Sequence, residues 1–279
     1  MARIRVITDS ACDIPEEYAR RLDIAIVSLS IRFGDDEFTD RVDLTPNEFW
    51  AKCKASKKLP ETAAPSPGAF QSAYERAKAD GCDGVLVLTL SALLSATHQS
   101  AVIASTAISD LIPVRIVDTK AVSMAQGLLA IDVAELALTG VGLDQLVERA
   151  ESLVSKVGIV AMLDTLEHLS KGGRVGGARA LLGQVLSIKP LLALKDGVVA
   201  EAGRQRTRAK ALVAIADVVA THAPLRRLAL VHGASSEVPS LEALVAQITP
   251  DYPLIVTDIG PVVGTHGGPG IIGLSWLEA

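Results

Sequence analysis

Gly84-Val85-Leu86-Val87-Leu88-Thr89-Leu90 reads as a strand with no polar face. A strand that is apolar at nearly every position is covered on both sides, as in parallel sheets packed between helices. Arg5-Val6-Ile7, Ala25-Ile26-Val27-Ser28-Leu29-Ser30-Ile31 and Val114-Arg115-Ile116-Val117-Asp118 read as companion strands. Helical stretches separate them. One begins near Asp13-Ile14-Pro15-Glu16, with Asp13 as N-cap and a proline in the first turn. Others run from Pro67 to about Ala79, from Ser95 to about Asp110, and from Ala121 to about Leu138. This alternation predicts a doubly wound sheet, with a ligand beyond the carboxyl ends of its strands.

The pattern changes near Gly140-Val141-Gly142. Later strand candidates are Gly158–Met162, Ser187–Leu194, Val198–Ala200, Arg227–Val231 and Leu254–Val256. Asp196-Gly197, between two of them, is a hairpin turn signal and demands antiparallel pairing. The expected fold class is α/β. Residues 1–150 form an N-terminal domain with a mostly parallel sheet between helices. Residues 151–279 form a C-terminal α+β domain with a mainly antiparallel sheet. No repeat period or low-complexity tract interrupts either half.

Bulk properties narrow the function classes. The chain has 279 residues, 49% of them hydrophobic and only 3% aromatic, so its interior is aliphatic. Lys+Arg 27 against Asp+Glu 32 gives a net charge of −5, which argues against a general nucleic-acid surface. Cys12, Cys53 and Cys82 are odd in number and widely spaced, so neither a disulfide framework nor a zinc site is expected. The apolar run at the N-terminus is too short for a signal peptide. The longest aliphatic stretch, Val122 to Val147, is broken by Asp132, Glu135 and Asp144. A cytoplasmic protein is expected.

Small polar side chains recur where strands end. Thr8-Asp9-Ser10 follows the first strand, and Ser91 and Ser95-Ala96-Thr97 follow Leu90. Thr62-Ala63-Ala64-Pro65-Ser66 precedes the helix at Pro67. Ser66 and Ser95 have an ordinary explanation as helix caps. Together these groups place small donors where a ligand of a parallel sheet would sit. The run from Gly260 to Gly270 holds Thr265 and His266 among five glycines and two prolines. It reads either as a turn-rich surface loop or as a segment that passes close to a ligand. Neither a phosphate-binding glycine loop nor a dinucleotide fingerprint nor a nucleophile elbow is present, so this chain supplies no ATP or NAD site and no cofactor is expected. In Leu163–Gly176 a short helix ends at Lys171-Gly172-Gly173, and Arg174 projects from an exposed turn. Arg174 reads as a solvated cap or as a docking arginine for an acidic partner. His98, His168 and His222 read as ordinary surface or helix residues.

In this order the segments resemble the DegV family, the fatty-acid-binding proteins of bacterial fatty acid kinase systems. The resemblance spans the chain: Thr8-Asp9-Ser10, Thr62–Ser66, Leu94–Ala101, Leu166–Arg174, Ile188-Lys189-Pro190, Arg206-Thr207-Arg208 and His266–Gly270. It implies a binding protein, not an enzyme, that buries one long-chain fatty acid in a tunnel between the two domains. The resemblance implies that Thr62, Ser95 and His266 hold the carboxylate, with Ser10, Ala96, Thr97, Thr265 and Gly267 as further head-group contacts. Arg174 falls in the region the family uses to engage a separate kinase subunit with a dihydroxyacetone-kinase-like ATP domain, which forms an acyl phosphate. Transient membrane contact is the remaining partner class. Ala63 replaces a serine and Ala96 a glycine of the family pattern, which bears on the head-group contacts. The rival readings are a carrier or sensor without a kinase, and a serine acyl hydrolase with Ser95 as nucleophile, His266 as base and Asp9 as third member.

Overall fold

The computed structural model describes residues 1–56, 58–181 and 188–279. The first half contains β1 (Ile4–Asp9), α1 (Glu16–Arg21), β2 (Ala25–Val27), β3 (Ser30–Phe33), β4 (Asp36–Thr39), α2 (Pro46–Ala55) and β5 (Glu61–Ala63). It continues with α3 (Pro67–Ala79), β6 (Gly84–Thr89), α4 (Thr97–Ala107), β7 (Val114–Asp118), α5 (Met124–Ala137) and α6 (Leu143–Leu153). The second half contains β8 (Val157–Met162), α7 (Glu167–Lys171), β9 (Lys189–Lys195), β10 (Val198–Gln205) and α8 (Arg208–Ala220). It ends with β11 (Leu225–His232), α9 (Val238–Val245), β12 (Ile255–Asp258), α10 (Pro261–Gly267) and β13 (Ile272–Glu278).

β6 is buried at all six positions and lies in a parallel sheet of order β2-β1-β6-β7. Its uninterrupted apolar character is what a strand covered on both faces needs. The second sheet has the order β10-β9-β8-β13-β11-β12 and is antiparallel apart from the β11–β12 pair. The expected hairpin joins β9 to β10, with positive φ at both Asp196 and Gly197. The buried helix α5 packs on β1 and β6 on one side and on β8, β11 and β13 on the other. Asp132 of α5, 2% exposed, pairs with Arg149 of α6 and with Arg226 of β11, which ties the two halves together.

Three expectations are corrected, and a fourth lies partly outside the described residues. Ala25–Ile31 is not one strand. Leu29 N–H donates to Ser10 Oγ (3.0 Å) and Leu29 C=O accepts from Asp40 N–H (2.9 Å). With both backbone groups diverted, the chain leaves the parallel sheet, and β3 joins a separate antiparallel sheet of order β4-β3-β5. Asp13 does not cap α1. Pro15 occupies the N-cap position, while Asp13 is 3% exposed and turns its carboxylate inward. The glycine-rich run is not a loop throughout, because Pro261–Gly267 is helical. Pro261 fits the first helical position, and the bare face at Gly264 receives Phe49 and Trp50 of α2. Of the strand expected at Ser187–Leu194, β9 begins at Lys189, and Ser187 lies outside the described residues.

Candidate functional site

A space of about 1040 Å³, counting the solvent at its open mouth, lies between the two sheets. Leu29, Leu90, Leu94 and Val122 line it from the first half. Ile159 and Ala161 of β8, Leu192 and Leu194 of β9, and Val262 and Val263 of α10 line it from the second. Such a wall offers an alkyl chain burial without directional demands.

Polar groups gather at one end: Thr62, Ser95, Arg174 and His266, with the small residues Ala96 and Gly267. Thr62 sits on β5, paired across from Ile31, and alternation turns it inward while Ala63 is exposed. A serine at position 63 would therefore face solvent, so the Ala63 departure removes no donor from the cavity. Ser95 follows β6 in a turn where its N–H donates to Ser91 C=O (3.2 Å). Its Oγ accepts from Thr97 N–H (3.3 Å) and lies 2.8 Å from Thr97 Oγ1.

His266 Nε2 lies 3.0 Å from Thr62 Oγ1, and His266 Nδ1 has no hydrogen-bond partner among the described residues. A buried N–H without an acceptor costs about 1–3 kcal/mol, and folded proteins leave buried donors orphaned less often than acceptors. The neutral tautomer with its proton on Nε2 is therefore favoured: Nε2–H donates to Thr62 Oγ1, and the Thr62 hydroxyl proton is left to point elsewhere. Burial, then the charges of Arg174 and His168, pushes the His266 pKa down to about 4. The imidazole is neutral at neutral pH.

Arg174 departs from its expected place. It is half-buried and does not project from an exposed turn: Nε donates to Leu94 C=O (3.1 Å) and Nη1 to Gly172 C=O (2.6 Å). The polar end thus contains a permanent cation, which the reading of Arg174 as a surface residue had removed from the head-group set. Nothing in the sequence separates an inward from an outward arginine after two glycines.

The remaining candidates do not line the cavity. Ser10 is buried under Leu29, Thr97 lies beneath Ser95, and Thr265 Oγ1 donates to Pro261 C=O (2.8 Å). His168, read as an ordinary surface residue, is half-buried, with Nδ1 3.2 Å from Thr265 C=O. Asp9 is fully buried, accepting from Leu90 N–H (2.7 Å), Ala11 N–H (3.1 Å) and Gln126 Nε2 (3.0 Å). With Asp9 engaged there, Ser95 bonded to Thr97 and His266 to Thr62, the hydrolase triad is not assembled. Among the described residues no cluster could hold a metal ion, and no helix is long and apolar enough to cross a membrane.

Beyond the polar end lies a second, open groove. Arg32, Lys58, His168 and Lys171 line it together with Asp35 and Glu61. Thr62, Arg174 and His266 border both spaces. These three residues separate an aliphatic interior from a charged exterior, where Arg32 pairs with Glu61 and Lys171 with Glu167.

Comparison with known proteins gives concordant matches along the chain. The family model described as "Uncharacterised protein, DegV family" matches residues 3–279. A DegV domain-containing protein of Listeria monocytogenes is 33% identical over 280 residues, covering 98% of each chain. A DegV family protein from Thermus thermophilus, described for its fatty acid binding, superposes with a TM-score of 0.90 at 32% identity, covering 99% of this chain and 100% of the other. DegV from Bacillus subtilis, described as a fatty acid binding protein, gives a TM-score of 0.90 at 29% identity with all of both chains covered.

Proposed function

This chain belongs to the DegV family, and on that footing we propose that it holds one long-chain fatty acid in the aliphatic cavity and presents the carboxylate to a separate kinase. The observation that carries the reading is the Thr62–His266 pair, set between a cavity walled by aliphatic side chains and an open groove lined by charged ones. In this reading the two halves act as domains that clasp the tail. The carboxylate accepts from the hydroxyls of Thr62 and Ser95. His266 acts through Thr62, fixing the direction of its proton, and Arg174 supplies the compensating charge.

Energetics favour that division of labour. Burying a methylene contributes about 0.8 kcal/mol, so a tail of about sixteen carbons contributes something near 11 kcal/mol before association costs of at least about 4 kcal/mol. A charge-assisted hydrogen bond contributes about 1.5–3 kcal/mol. The tail supplies most of the affinity, and the polar end fixes which atoms face the groove. A kinase subunit with a dihydroxyacetone-kinase-like ATP domain would approach from the groove side, in the cytoplasm. A carboxylate oxygen would take the γ-phosphoryl group of its ATP, releasing ADP and leaving an acyl phosphate.

Two measurements test this. Mass spectrometry of the denatured purified protein is expected to release a fatty acid, and the delipidated protein is expected to bind palmitate or oleate. Absence of both overturns the binding reading. Reconstitution with a fatty acid kinase and ATP is expected to yield acyl phosphate. Lipid binding without any acyl phosphate would leave a carrier and remove the kinase partnership.

A further inference from the structure

Asp13 lies at the centre of the molecule without touching the cavity. Its carboxylate accepts from Ser123 Oγ (2.5 Å) and from Gly260 N–H (2.9 Å), and its backbone carbonyl accepts from Thr257 Oγ1 (3.2 Å). Each partner begins or precedes an element of the site. Ser123 is the N-cap of α5 and follows Val122, which lines the cavity. Gly260 is the N-cap of α10, which carries Val262, Val263 and His266. Asp13 and Ser123 both hold positive φ, at 51° and 55°, in a region that side-chain-bearing residues rarely adopt. Such a backbone persists only when its surroundings over-determine it. Here two hydrogen bonds to one carboxylate do so.

We infer that Asp13 is a positioning residue for the acid-binding end of the cavity, one buried carboxylate that sets α10, and with it His266, against the start of α5. The inference rests on the fatty-acid reading for its ligand but not for its geometry. Without the carboxylate, α10 keeps its C-terminal contact through His266 and loses its hold at Gly260. The imidazole then no longer fixes the Thr62 hydroxyl, while the walls supplied by β8 and β9 stay. An asparagine would keep the Gly260 bond through its Oδ1 and could donate from Nδ2 to Ser123 Oγ, so it should substitute.

The test compares wild type, Asp13→Asn, Asp13→Ala and the milder Ser123→Ala, each with palmitate and with 1-hexadecanol, which has the same tail and no carboxylate. Asp13→Ala is expected to weaken palmitate about tenfold or more, hexadecanol less than about twofold, the difference expected for losing one hydrogen bond to a charged group. Ser123→Ala is expected to follow in the same direction with a smaller loss, which keeps the test available if Asp13→Ala does not fold. Asp13→Asn is expected to stay within about threefold of wild type on both ligands. Equal losses on the two ligands, or no loss on palmitate, would overturn the positioning role, since a purely structural residue would affect both alike. The His266 ring signals in the ligand-free protein give a second readout: they should move in Ser123→Ala and Asp13→Ala and match wild type in Asp13→Asn. If wild type binds neither ligand the fatty-acid reading falls, and these signals still decide the role of Asp13.

Discussion

Gly172 shows how little separates a working imidazole from a displaced one. A Cβ there would stand 2.3 Å from His266 Nδ1 and 3.1 Å from His168 C=O, although the backbone φ of −71° would accept any residue. The glycine is required by its neighbour, not by its own conformation. Gly172→Ala is therefore expected to push the ring off Thr62 and weaken palmitate binding by about tenfold to a hundredfold, the range for one lost hydrogen bond to a charged group. Its unfolding midpoint should fall as well, because the displaced ring loses its bond to Thr62 in a buried place. Calorimetric titration beside urea denaturation measures both. Undiminished binding would remove the imidazole from the head-group set. Arg174 teaches the same lesson in reverse: Leu94 C=O and Gly172 C=O draw inward a side chain that the local sequence sends outward.

At the scale of elements, α10 is the piece the sequence disguised. Its glycines read as loop because glycine is a poor helix former, by about 1 kcal/mol per residue against alanine. Tertiary contact overrides that preference. A Cβ on Gly264 would lie 2.7 Å from Phe49 Cε1 and 2.9 Å from the Trp50 ring, so the helix approaches α2 only because that face is bare. Gly264→Ala gains helix propensity but overpacks the contact, at a cost of typically about 1–3 kcal/mol. We expect net destabilisation of up to about 2 kcal/mol, read as a lower urea midpoint with an unchanged slope. A stabilised variant would mean that the rings have room to yield. The break after β2 has a similar origin: Ser10 and Asp40, distant from Leu29 in sequence, take up its backbone groups.

The whole molecule carries a pH signature set by burial. Desolvation pushes the carboxyl pKa of Asp9 up to about 6, of Asp13 to about 7 and of Asp40 to about 6. A carboxyl whose pKa is raised by folding contributes stability that is complete below its ordinary value of about 3.9 and is lost as pH rises through the folded value. His266 acts oppositely. Its depressed pKa contributes stability above about 6.5 that is lost as pH falls toward about 4. Three carboxyls oppose one imidazole in this window, so the urea midpoint is expected to be higher at pH 5 than at pH 7.5. The reverse order would mean that these carboxylates are solvated or paired in the folded state. The two halves experience this together, since Asp132 and its arginines join α5 and α6 to β11 across the middle of the fold.

Local sequence determined much of the frame. The apolar run of β6, the helix at Pro67–Ala79 capped by Ser66, and the Asp196-Gly197 hairpin all followed from contacts within a few residues, where propensity and periodicity act. From a wider set of polar groups at element ends, the resemblance to the DegV family singled out Thr62, Ser95 and His266, and these three do line one space. Only tertiary structure decided the rest: the cation among them, the helix hidden in the glycines, the inward carboxylate of Asp13 and which aliphatic side chains line a cavity instead of filling a core. An aliphatic residue has the same pattern whether its neighbour is another side chain or an open space, and a polar one the same pattern whether water or a distant backbone group satisfies it. Those choices are made between segments far apart in the chain, after each has already formed.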